Sequence, residues 1–252
     1  MIKYATILLF VFVFFALFAA QASAEEDKPA VLPTYICNYT TSPVVVDGRL
    51  NDAAWQSAQP VELVLVQTGA PVSLKTTALF LWDDQYLYVA FHSQDTDIWG
   101  TFTKRDNPIF IEEVVEVFID SNCNQTDYYE VDISPRNTLF DSVITNSTGF
   151  RPDPGLLEAW TCVGCKSAVK VVGTLDNRQD TDRYWDAEIA IPFSRIGSPP
   201  GHTPVSGDSW RINLYRIDLS PNEELQAWSP TLTSGMPNFH VPGRFGILTF
   251  KR

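Results

Sequence analysis

The sequence predicts an all-β protein, an antiparallel β-sandwich with one short helix. Three observations carry that reading. Short runs that alternate apolar and polar residues recur along the chain. Pro, Gly, Asn and Asp clusters separate them, as turns require. No stretch keeps a helical period for more than about two turns. A chain of 252 residues, 45% hydrophobic, is long enough for one full core. Its 13% aromatic content argues against a disordered chain.

The elements follow in order. Asn51–Ser57, after the Asp47-Gly48 turn, is the one short helix expected. Thr77–Trp82 and Tyr86–His92 form a hairpin around Asp83-Asp84-Gln85. Val114–Asp120 and Tyr128–Ile133 form a second, flanking the polar loop Ser121–Asp127. Ala168–Val172, Trp185–Ile191, Trp210–Ile217 and Phe245–Phe250 are further strands. Many short strands without a long helix favour a sandwich or barrel. No repeat or linker interrupts residues 35–252, which read as one domain.

Residues 1–24 read as a secretory signal. Lys3 is the positive n-region, Ala5–Ala20 is apolar and uncharged, and Ala22-Ser23-Ala24 suits a signal peptidase. The run of about 16 residues falls short of the roughly 20 of a membrane span. Residues 25–34, charged and Pro-containing, read as a flexible mature terminus. The expected product is secreted, or periplasmic in a bacterium. A net charge of −12 disfavours nucleic acid and anionic membranes as partners.

An even count of four cysteines in an exported chain reads as disulfides. Of three connectivities, Cys37–Cys123 with Cys162–Cys165 is the expected one. Two close pairs would suit zinc, and Cys37 and Cys123 are far apart in sequence. Asn38-Tyr39-Thr40, Asn124-Gln125-Thr126 and Asn146-Ser147-Thr148 are glycosylation acceptors, which suggests surface positions.

Alternation assigns faces. Val115, Val117 and Ile119 point one way, with Tyr129, Val131 and Ile133; Glu116, Glu130 and Asp132 point the other. Like charges so placed repel by about 0.2–1 kcal/mol per pair. A cation, a base, sugar hydroxyls or plain solvent must offset that.

These strands carry a resemblance. Val46-Asp47-Gly48-Arg49-Leu50-Asn51-Asp52-Ala53-Ala54-Trp55, Leu81–Phe91, Val115–Asp120 with Tyr128–Pro135, Trp185–Phe193, Trp210–Asn213 and Phe239–Gly246 run in one order. Together they resemble the family 9 carbohydrate-binding modules and their stand-alone relatives, within the DOMON-like sandwich group. The resemblance spans roughly residues 44–250. It implies a non-catalytic sandwich that binds oligo- or polysaccharide, often beside a glycoside hydrolase. Family modules clamp a terminal sugar between two Trp. Here Phe110 and Phe239 stand near those positions. Flat rings cover the apolar face of a sugar and polar groups orient it.

For the hydroxyls Glu116 is the first candidate, then Arg105, Glu113 and Arg216. Arg216 shares the parity of Trp210, Ile212 and Leu214, the expected core side, so it lies past the strand end or pairs with a buried carboxylate. Trp99 and Trp228 are candidates for extra aromatic surface, with core packing as their other role. His240 is weighed between a structural histidine and a ligand contact. Asp120, Asn122, Asn124 and Asp127 place oxygen donors in one loop, and calcium sites occur in the family; calcium is the one cofactor considered. Two alternatives to simple binding stand. Glu116 with Glu130 or Asp132 is a candidate pair for glycoside hydrolysis. Some DOMON-like relatives hold haem b through Met, His or Lys, for which Met236 and His240 are on hand but close in sequence.

Overall fold

The computed structural model describes residues 31–145, 157–158 and 160–252. The signal segment and Asn146 lie outside the described residues. Fourteen strands follow in chain order: β1 (Thr34–Tyr39), β2 (Val61–Glu62), β3 (Val64–Leu65), β4 (Thr76–Trp82), β5 (Tyr86–Gln94), β6 (Val114–Asp120) and β7 (Asp127–Ile133). Then come β8 (Leu139–Thr145), β9 (Leu157–Glu158), β10 (Lys166–Val172), β11 (Tyr184–Pro192), β12 (Ser209–Asp218), β13 (Glu224–Ala227) and β14 (Gly246–Lys251). Among the described residues a single four-residue α-helix, α1 (Phe193–Ile196), follows β11. The expected helix at Asn51–Ser57 is a 3-10 turn over Ala53–Ser57.

Hydrogen bonding traces the path β10-β11-β5-β4-β1-β14-β12-β6-β7-β8-β9. Two halves face each other, and β1 joins them. It pairs parallel to β14 over Thr34–Asn38 and parallel to β4 at Asn38 and Tyr39. The other pairings are antiparallel. Thr34, just before residue 35, already pairs with Ile247.

The core lies between the halves. Phe80, Trp82, Val89, Phe91 and Ile189 from one meet Val117, Ile119, Val131, Trp210 and Leu248 from the other. Each central strand contributes alternate residues, the period of two read from the sequence. Truncating one such aromatic to Ala costs about 3–5 kcal/mol. The buried indoles keep polar partners: Trp82 Nε1 donates to Cys37 O at 3.0 Å, and Trp185 Nε1 to Asp95 at 3.2 Å.

The Asp47-Gly48 turn and Trp55 share a single anchor. The buried Glu188 of β11 accepts the Asp47 and Gly48 amides at 2.9 and 2.8 Å, and Trp55 Nε1 at 2.9 Å. Gly48 has φ +78°, and a Cβ there would lie 2.7 Å from the Val169 backbone, so glycine is required. This folds the segment around Trp55 over the outer face of β4, β5 and β11.

Candidate functional site

The outer face of the other half opens as a cleft. Strand register builds its floor. Tyr215, Glu116, Asp132 and Phe140 stand side by side on β12, β6, β7 and β8. The next row is Asn213, Phe118, Glu130 and Ser142. Two loops wall it. Before β6, the 3-10 turn Ile109–Ile111 carries Phe110, which meets Phe140 edge-on at 5.1 Å. Before β14, the second loop carries Asn238, Phe239 and His240. The enclosed space is about 280 Å³, near the roughly 300 Å³ lower end for small-molecule sites.

The second loop is fixed by buried polar groups. Tyr215 backs the Phe239 ring, centroids 4.3 Å apart and planes 6° from parallel, and its hydroxyl donates to Phe239 O at 2.7 Å. Asn213 donates to that hydroxyl at 2.7 Å and exchanges bonds with Ser229 N and O, both at 2.9 Å. His240 Nδ1 is 2.7 Å from the Tyr128 hydroxyl, beside the Phe118 ring. The second loop therefore holds Phe239 on a hydrogen-bonded base.

The carboxylates are close. Glu116, Glu130 and Asp132 each bring an oxygen within 4.8 Å of the others. Asp132 is wholly buried. Burial, then the charges of Glu130 and Glu116, raises its pKa well above the usual carboxyl range. The shift favours its neutral form, which relieves part of the like-charge repulsion expected from the sequence. Glu116 and Glu130 line the cleft.

Phe110, Glu116, Phe239 and His240 thus meet at one place. The other candidates lie elsewhere. Arg216 is fully buried between the halves, the second of the two placements its parity left open. It bonds Asp95 at 2.9 Å and Gln94 O at 2.6 Å, and pairs with Asp218 at 3.0 Å. Glu113 faces the same inner cluster, since it shares the parity of Val115. Burial and the nearby Asp95 raise its pKa to about 10. The oxygens of Asp95, Glu113 and Asp218 approach as closely as those in the cleft, but Arg216 supplies their cation. Trp228 is a core residue, 7% exposed; Gly246 packs on its ring, where a Cβ would approach to 2.5 Å. Trp99 is half-buried under the Arg178 guanidinium, 5.1 Å away. Arg105 is bonded to Asp141, on the core side of β8. None of these five borders the cleft.

The loop oxygens considered for calcium make hydrogen bonds within the turn. Asp120 accepts the Asn124 and Gln125 amides at 3.2 and 2.9 Å, and Asn122 accepts Asn124 N at 2.9 Å. Asp127 accepts the Asn124 side chain at 3.2 Å. These bonds hold Cys123 and Gln125 at φ of 57° and 61°. The expected Cys37–Cys123 disulfide is not made: Cys37 is buried in the core and Cys123 sits on an exposed turn. Cys162 and Cys165 share a turn, Cys165 N donating to Cys162 O at 3.0 Å, and are thiols here. Asn38 donates its side-chain nitrogen, the atom a glycan would occupy, to Ser57 O at 2.8 Å; Asn124 is exposed. Met236 is 87% exposed and His240 is bonded to Tyr128, so the Met–His pair of the haem alternative is not assembled. Tyr128, Phe140, Tyr215 and Asn238 escaped the sequence reading. Outward parity marked Tyr128 and Tyr215; nothing local marked Asn238.

The comparisons agree with this architecture. The family model for carbohydrate family 9 binding domain-like proteins matches residues 46–252. The exoglucanase XynX of Acetivibrio thermocellus is 33% identical over 141 residues, 53% of this chain and 12% of that protein. This chain therefore spans a small part of that enzyme. An extracellular protein of Arthroderma benhamiae is 24% identical over 184 residues, 70% of this chain and 78% of its own. A family 9 module of Caldicellulosiruptor kristjanssonii, solved with cellotriose, superposes with a TM-score of 0.59 at 16% identity, covering 86% of this chain and 93% of that one. That likeness speaks for the fold. The family match covers every element that builds the cleft, and the chain belongs to the carbohydrate family 9 binding domain-like proteins.

Proposed function

We propose that this chain is an exported, non-catalytic domain that takes the terminal unit of a plant or microbial polysaccharide into the cleft. The carrying observation is the meeting of two aromatic side chains, Phe110 and Phe239, with Glu116 and Glu130 around one small space. Phe rings cover the apolar face of a sugar, and carboxylates accept from its hydroxyls. Asn238 and the imidazole of His240 add polar contacts at the Phe239 wall. The cellotriose bound by the Caldicellulosiruptor module makes β-glucan the first ligand to try.

Export rests on the leader sequence and on the extracellular relative. In an oxidising compartment Cys162 and Cys165 would close a disulfide across their turn, and Asn124 would carry any glycan. The domain would act with a separate hydrolase that attacks the same polymer.

The test is calorimetric titration of the purified chain with cellotriose, xylotriose, mannotriose and chitotriose. Saturable binding of one class is expected, weakened about tenfold or more by Phe239→Ala, which is about 1.4 kcal/mol. A folded protein that binds none of the four would sink the reading. Hydrolysis is the second reading, because Glu116 and Glu130 place oxygens within 4.8 Å and retaining glycosidases hold carboxyls about 5 Å apart. Shortened oligosaccharides in the titration mixture, absent with Glu116→Gln, would establish it.

A further inference from the structure

The cleft has two chemically different ends. One is polar, with Glu116 and Glu130. The other continues along the strands. Leu225 pairs with Ile217, and Ile217 with Val114, one pleat beyond the row of Tyr215 and Glu116. Residues two apart on a strand are separated by about 7 Å. Ile217 and Leu225 are half-buried and line the cleft with Leu219 and the exposed Ile111. Behind them Ile109, Val114 and Phe140 form a packed apolar cluster. None of these side chains carries a hydrogen-bond donor or acceptor. Glu223, exposed on the β12–β13 turn, also borders the cleft.

A bare pyranose has hydroxyls around its whole ring. Pressed on this aliphatic wall, they would lose water without gaining partners. An unsubstituted sugar uses the wall badly; a sugar bearing an apolar group uses it well. The one-pleat spacing matches a sugar whose hydroxyls meet Glu116 while a group on the opposite side reaches Ile217.

We propose that the wall formed by Ile111, Ile217, Leu219 and Leu225 selects saccharides carrying a bulky apolar substituent, an acyl ester or an aryl aglycone. This rests on the sugar-binding reading above and adds the ligand class to it.

The experiment titrates the full chain with matched ligand pairs. One pair is methyl and phenyl β-glucoside; the other is xylotriose with and without O-acetyl groups. Cellotriose and phenol serve as controls. The expected result is a preference of about tenfold for the substituted member in at least one pair. The first pair reports an aglycone, the second an ester. Ile111→Ser and Leu219→Ser should each lower that ratio toward one. Ile111 is exposed, so its variant has little reason to misfold, and thermal unfolding checks both. Equal affinities within both pairs, with cellotriose bound, overturn the wall while leaving the sugar site standing. Phenol binding as tightly as phenyl glucoside overturns it too, since the wall would then be a site for apolar molecules alone. No binding of any sugar overturns both readings.

Discussion

Two buried acidic clusters lie on opposite faces of the sheet that holds β6, and they do opposite work. The inner cluster joins Asp95, Glu113 and Asp218 to Arg216 between the two halves. The outer one joins Glu116, Glu130 and Asp132 at the floor of the cleft. Their chemistry is nearly the same, and a one-residue change of parity separates Glu113 from Glu116's side of the sheet. What differs is the surroundings. The inner set is closed by its own guanidinium and by Thr76 and Gln94, and it holds the halves together. The outer set borders an open space flanked by two aromatic rings. Burial of carboxylates is therefore a poor marker of a binding site; the open side is the better one.

Four substitutions sharpen that contrast. Arg216→Leu should have the largest effect, about 3–5 kcal/mol of lost stability, because it strands buried carboxylates without their cation. Urea denaturation measures it; a loss under about 1 kcal/mol would mean the inner cluster is not structural. Next is pH. The raised pKa of Glu113, about 10, and of Asp218, about 6, mean that the native state holds protons the unfolded chain has released. Their contribution to stability is full below the unfolded values and declines as pH rises toward the folded ones. Unfolding free energy should fall between pH 5.5 and 8.5, by at most about 1.4 kcal/mol per unit from one group. Glu113→Gln should flatten that slope, and an unchanged slope would assign it to other groups.

The outer cluster should answer in binding. Glu116→Gln is expected to weaken sugar affinity about tenfold, or about 1.4 kcal/mol, with thermal unfolding nearly unchanged. A variant that melts early yet binds normally when folded would make the two clusters alike. The smallest effect belongs to Trp99→Ala. Trp99 lies under Arg178 and away from the cleft, so affinity should stay within about twofold, well under 1 kcal/mol. A larger loss would extend the site beyond its two loops.

Much of this was legible. Alternation found eight main strands, and it separated Glu116 from Val115 and assigned Arg216 to the core side. β8 was missed because its core-side parity includes Asp141, which Arg105 and the Cys162 amide satisfy across the fold. Core packing was one of the two roles read for Trp228, and the structure puts it there. In a loop it looks available, but Gly246 lies against its ring from β14. The cleft aromatics were found through family likeness. Their neighbour Asn238 was not, since a short loop records no period. Local pattern gives the face of a strand; which distant segment covers that face is a tertiary fact.

The parallel seat of β1 between β4 and β14 bears on the order of assembly. Residues 34–38 find their partners at 247–251, more than two hundred positions later. Pairings so remote in sequence form slowly. During synthesis the first strand waits with one edge unpaired while the rest of the sandwich is made. Until the final strand arrives, the seam at β1 is missing and the two layers are joined only through β2, which pairs with β4, and β3, which pairs with β13. A chain of this design completes the pairing of its first strand only when its last strand has been made.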